Sequence, residues 1–108
     1  MTVLELAESG AFDPVTLPDP DRTITGVYIG DLLSWVMGRA HSGDVWITIM
    51  SNINIIAVAS LADTACILLA EDVELSEDIL NTAAAKDVNI LRSKSGIYDT
   101  ALTLSHLL

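Results

Sequence analysis

Four hydroxyl and amide side chains, Thr48, Ser51, Asn52 and Asn54, interrupt an otherwise apolar stretch running from Val45 to Ala59. Side chains of this kind hydrogen-bond without carrying charge. Placed where a strand ends and the next helix begins, beside free backbone N–H groups, they suit a small ligand or an anion. Asp31 and Ser34 occupy the equivalent position after the preceding strand. These six residues are the candidate ligand-binding set. The competing reading makes them helix caps and buried amides satisfied by the backbone.

No other constellation points to catalysis. A phosphate loop needs its lysine, and Gly26-Val27-Tyr28-Ile29-Gly30-Asp31 has an acid where the phosphate would sit. The three-glycine dinucleotide fingerprint and the G-x-S-x-G nucleophile elbow are both missing. His106 has no metal-ligand neighbour at helical spacing, and His41 has only Asp44, in a polar turn. The acids Glu71, Asp72, Glu74, Glu77 and Asp78 lack the alternation and central glycine of a calcium loop. They precede and begin a helix, where the macrodipole favours negative charge. Cys66 lies in the apolar run Ala65–Leu69 and reads as a buried, inert thiol. No catalytic residue, metal ligand or cofactor is therefore expected.

The elements that must position the six residues follow from periodicity and punctuation. Met1–Glu8 reads as a short helix or strand, ended by Ser9-Gly10. Residues 11–22 hold all three prolines and read as extended segments and turns. Thr23–Ile29 is β-branched and reads as a strand. Asp31 is then expected to cap a helix whose apolar stripe is Leu32, Leu33, Val36, Met37 and Ala40. A strand is predicted over Val45–Met50. Residues 53–62 favour a strand by propensity, but the preceding cap Ser51-Asn52 and the alternation of elements make them a helix. A second strand, Cys66–Leu69, leads to a helix over Glu77–Lys86 capped by Ser76, with Ile79, Leu80 and Ala83 inward. Val88–Leu91 is a further strand, and Ile97–Leu108 a terminal helix with Ala101, Leu104 and Leu108 apolar. Alternation of this kind predicts one α/β domain over residues 1–108. Its sheet should be mostly parallel, of about four to five strands, with helices packed on it. Trp46, Val36, Ile56 and Ile67 are expected in the core.

Composition limits the partners. The net charge is −10 and only five residues are basic. Nucleic acid would find no basic face, and anionic membranes are disfavoured on the same ground. The apolar run from Ile53 to Ala70 is interrupted by Asn54, Asp63 and Thr64, so it reads as two soluble elements rather than a span. The first ten residues hold Glu5 and Glu8 and no basic segment, unlike a signal peptide. With a single cysteine, this points to the cytoplasm. Hydrophobic residues make up 51% of a small chain, more than a small interior can hide. Exposed apolar surface, and a homodimer to cover it, are expected. Trp35, beside the apolar stripe, is the candidate interface anchor.

The runs Gly26–Met37, Gly43–Ile49 and Asn52–Ser60 resemble the DRTGG-domain proteins over nearly the whole chain. The resemblance implies an α/β fold like the N-terminal domain of HPr kinase/phosphorylase. Elsewhere such domains sit within phosphate acetyltransferases and within regulated pyrophosphatases that carry CBS domains, as regulatory or dimer-forming modules. It implies no kinase activity, since the phosphate loop of HPr kinase belongs to a separate domain. The family's Asp-Arg pair falls near Ser51-Asn52 and its Thr-Gly-Gly near Ala70-Glu71-Asp72, and this chain keeps neither. Asp21-Arg22-Thr23 precedes the wrong strand for the signature. The reading at this point is a non-catalytic regulatory or interaction module, a homodimer that docks on a partner enzyme. The alternative is a sensor of a nucleotide or phosphorylated metabolite.

Overall fold

A computed structural model describes residues 1–108. Its elements are α1 (Val3–Glu8), β1 (Asp13–Thr16), β2 (Gly26–Ile29), α2 (Leu33–Arg39), β3 (Asp44–Thr48), α3 (Asn54–Ala62), β4 (Cys66–Leu69), α4 (Glu77–Ala85), β5 (Ile90–Arg92) and α5 (Ile97–Leu107). The strands form one sheet in the order β1-β5-β4-β3-β2. From β2 to β5 every neighbouring pair is parallel, and β1 joins β5 antiparallel. The expected α/β class and mostly parallel five-stranded sheet are therefore present.

Each parallel step moves one strand along the sheet in the same direction, so right-handed crossovers place α2, α3 and α4 on one face. Strand alternation divides the core between the two faces. Trp46, Ile67, Leu69 and Ile90 pack with Val36, Ile55, Ile56, Val58, Ala59, Ile79 and Ala83 from those three helices. Val45, Ile47, Cys66, Leu68 and Leu91 point the other way, against Val3 and Leu6 of α1 and Leu104 of α5. Covering both faces explains why Val45–Ile47 of β3 and the whole of β4 are apolar without alternation. Trp46, Val36, Ile56 and Ile67 are all buried. The Ile53–Ala70 run resolves into α3 and β4, joined at Asp63 in the left-handed region (φ 59°). No helix is long and apolar enough to cross a membrane.

Several local expectations are corrected. The proline-rich segment contains β1, which sequence propensity missed. Pro14 is accommodated because β1 is an edge strand, with a register irregularity between Pro14 and Thr16. Of the two options left open for Met1–Glu8 the helix is found, over Val3–Glu8, and Thr2 and Glu5 form a reciprocal capping box. Asp31 does not cap α2: Leu32 is the N-cap residue and makes no side-chain bond. Of the proposed α2 stripe only Val36 is buried, while Leu33 and Ala40 are half-buried and Leu32 and Met37 are exposed. A seven-residue helix over an edge strand has one sheet face to meet, so it buries a single line of contact. Leu108 likewise lies outside α5 and is exposed, and the Ser76 side chain makes no capping bond.

Candidate functional site

The in-register pairing of β2 with β3 sets Ile29 beside Ile47, so the loops leaving the two strands begin side by side. Two bonds tie them together. Asp31 Oδ1 accepts from Thr48 Oγ1 at 2.8 Å and from the Ile49 backbone N–H at 3.0 Å. Thr48 Oγ1 in turn accepts from the Met50 N–H at 3.2 Å. Below them, the buried Trp46 donates its indole N–H to the Gly30 carbonyl at 2.9 Å. Asp31 therefore serves the loop after β3 rather than its own helix. Thr48 is completely buried, so its hydroxyl is committed to this strap.

Asn52 and Asn54 form a second, local pair, in which Asn52 Oδ1 accepts from the Asn54 N–H at 2.9 Å. That is an Asx turn leading into α3. Ser34 and Ser51 are exposed. The six candidates thus divide into the Asp31–Thr48 strap, the Asn52–Asn54 turn and two surface hydroxyls. Asn54 alone borders a hollow, a groove of about 360 Å³ between α3 and α4 that Ile53, Ile56, Ala57, Thr82 and Lys86 also line.

What surrounds the strap is apolar. Leu32 is 58% exposed and Trp35 51%, and Ile49 and Ile53 on the neighbouring loop are also exposed. The Arg39 guanidinium lies 3.7 Å from the centre of the Trp35 ring, one turn further along α2. It holds the indole flat by cation–π attraction. An exposed indole on α2, with exposed aliphatic residues on the adjoining loops, is chemistry for contact with another apolar surface.

Two other loop clusters lie outside the six candidates. At the amino ends of the strands, Arg22 Nη1 pairs with Asp63 Oδ1 at 2.9 Å while Nη2 reaches the Asp63 carbonyl at 2.8 Å. Ser42 also donates to Asp63. These bonds, that from Arg22 first, hold the Asp63 carboxyl below its usual range, and the same pair raises Arg22. At the carboxyl ends of β4 and β5, Glu71 and Asp72 both have left-handed backbones, φ 63° and 54°. Their N–H groups donate to the carbonyls of Ser95 and Ser93 at 2.7 and 2.8 Å. This is the place where the resemblance puts a glycine pair, and glycine is the residue that adopts such a conformation without strain. Arg92 lies 3.4 Å from Asp72 and 4.0 Å from Glu74. The buried Asn89 was also missed. It pins the proline-rich loop to the sheet, bonding both backbone groups of Asp19 and the Ala65 carbonyl.

Cys66 is fully buried, and desolvation pushes its thiol up to about 12, far from a nucleophilic thiolate. No three His, Cys, Asp or Glu side chains gather as a metal site.

Among curated proteins, none matches the chain. Among solved structures, the fold is similar to the CBS and DRTGG domains of the regulatory region of Clostridium perfringens pyrophosphatase, a structure complexed with the activator diadenosine tetraphosphate. The TM-score is 0.69 at 10% sequence identity, so the likeness is one of fold. The alignment covers 90% of this chain and 43% of that one, so this chain spans less than half of it. The DRTGG domain model matches residues 21–107, and the chain belongs to the DRTGG domain family.

Proposed function

We propose that this chain is a non-catalytic regulatory module that works through protein contacts, as a homodimer able to dock on a partner enzyme. The observation that carries the reading is the exposed apolar surface around the Asp31–Thr48 strap. Leu32, Trp35, Ile49 and Ile53 stand in solvent there, and neither Asp31 nor Thr48 lines a hollow. Exposed apolar side chains gathered at the carboxyl ends of neighbouring strands are costly on a small domain unless something covers them. Trp35, held by Arg39, is the anchor.

Sedimentation equilibrium of the wild type and of Trp35→Ala tests this. The wild type should be dimeric at micromolar concentration. Loss of a hot-spot tryptophan, about 2 kcal/mol or more, should weaken association roughly thirtyfold. A wild type that stays monomeric up to millimolar concentration would sink the homodimer, and an unchanged dissociation constant for Trp35→Ala would remove the anchor.

The second reading, a sensor of a nucleotide or phosphorylated metabolite, is favoured by the activator complex of the similar regulatory region. Its candidate residues are Asp31, Ser34, Thr48, Ser51, Asn52 and Asn54. A thermal-shift series with diadenosine tetraphosphate, mononucleotides and phosphorylated metabolites tests it. Saturation at about 100 times the dissociation constant adds about 2.7 kcal/mol. A flat series would leave protein contact as the function.

A further inference from the structure

We infer that two copies of this chain join through the outer edge of β2, pairing antiparallel about Tyr28 to make one continuous ten-stranded sheet. The inference rests on the homodimer reading above and adds a strand edge to the surface that Trp35 anchors.

The two edges of the sheet are built differently. The β1 edge carries Pro14, a register irregularity and the charge of Asp13, devices that discourage a further strand. Along Gly26–Ile29 the β2 edge has none of them, the N-terminal segment pairing only with the chain before it, where Thr2 bridges Thr23. Residues 23–30 contain no proline and no charged side chain, and β2 runs in unbroken register along β3. Its outward side chains are apolar as well: Val27 is 42% and Ile29 47% exposed.

Backbone geometry makes this edge complementary to itself. In a parallel ladder, successive residues turn their N–H and C=O groups to opposite sides. The Gly30 N–H donates inward to the Ile47 carbonyl, so Tyr28 also faces β3. Val27 and Ile29 are left with four backbone groups directed away from the sheet. A second copy, antiparallel and centred on Tyr28, sets Val27 opposite Ile29 of the second copy, and Ile29 opposite its Val27. Each such pair exchanges two bonds. All four groups on each copy are then satisfied, with none left over. The exposed Val27 and Ile29 become cross-strand neighbours on one face, and the two Tyr28 side chains meet on the other. The joined sheet keeps α2 of both copies on a common face.

Charge selects the same occupant. Copies carrying −10 each repel wherever acidic surface meets acidic surface. A charge-free edge lets two such copies close, and offers nothing to a basic peptide.

Amide hydrogen exchange of the wild type, at concentrations above and below the dimer dissociation constant, tests the pairing. The Val27 and Ile29 amides should exchange at least tenfold more slowly in the dimer, while Tyr28, bonded to β3, is protected in both states. Val27→Lys places a charge on an already exposed position and should give a folded monomer by sedimentation. A dimer whose Val27 and Ile29 amides stay unprotected, or which survives Val27→Lys, overturns the edge pairing and leaves the homodimer reading standing. A wild type monomeric at every concentration overturns both.

Discussion

Asp31→Ala should destabilise the domain although Asp31 lies outside every helix and strand. The carboxylate accepts two bonds, from the fully buried Thr48 hydroxyl at 2.8 Å and from the Ile49 N–H at 3.0 Å. Truncation leaves the Thr48 hydroxyl without its acceptor in a site closed to water, a cost of about 1–2 kcal/mol. The Ile49 N–H lies at the surface and can turn to solvent, so its loss costs about 0.5–1 kcal/mol. The sum is roughly 2 kcal/mol, which lowers the thermal midpoint of a domain this size by about 8 °C or more. Asp31→Asn keeps one acceptor oxygen and should lose less than half as much. Thr48→Val removes the hydroxyl at nearly constant shape, and in a double-mutant cycle Asp31 and Thr48 should couple by about 1 kcal/mol. Calorimetric melts of the four proteins of the Asp31→Ala/Thr48→Val cycle measure this directly. If Asp31→Ala melts within about 2 °C of the wild type, the strap contributes nothing. Asp31 would then be free to act as a ligand-facing carboxylate.

Glu71→Gly relieves a left-handed backbone at an exposed position, and should raise stability by up to about 1 kcal/mol, read as a higher denaturation midpoint. Asp63 should contribute to the acid limb of the stability curve. A carboxyl held low by Arg22 and Ser42 stabilises the fold above its unfolded value, and that stability is lost progressively as the pH falls below about 5. Asp63→Asn should therefore melt below the wild type near neutrality and approach it in acid. A difference that is constant with pH would contradict the ion pair. Cys66, buried with its thiol pushed up to about 12, should react with a thiol reagent only at the rate of unfolding, so that denaturant accelerates labelling and a small pH increase does not.

Alternation of β-branched runs with helical spacing was enough to locate all four parallel strands and the helices between them. Apolar identity along β3 and β4 carried the core, because a sheet covered on both faces needs no polar alternation and Trp46 and Ile67 had nowhere else to go. Even the ambiguous run 53–62, strand-like by propensity, was decided as a helix by its place in the alternation. What the local sequence determined, then, was the type of each element from β2 onward and the apolar residues of the central strands and of α3 and α4.

Tertiary structure decided which polar groups meet. Asp31 has the residue type and position of an N-cap, but the parallel register of β2 and β3 brings the Thr48 hydroxyl and the Ile49 N–H within its reach. Those donors outcompete its own helix. Asn89 finds Asp19 across 70 residues of chain, and Arg22 finds Asp63 across 41. Neither spacing leaves a periodic trace. The length and position of α2 decided that Leu32, Trp35 and Met37 stay in solvent, a fact about what lies opposite the helix and not about its own pattern. Periodicity records what a residue does within its own element. Hydrogen-bond partners and exposed faces depend on which elements the chain later brings alongside, and only the assembled sheet holds that information.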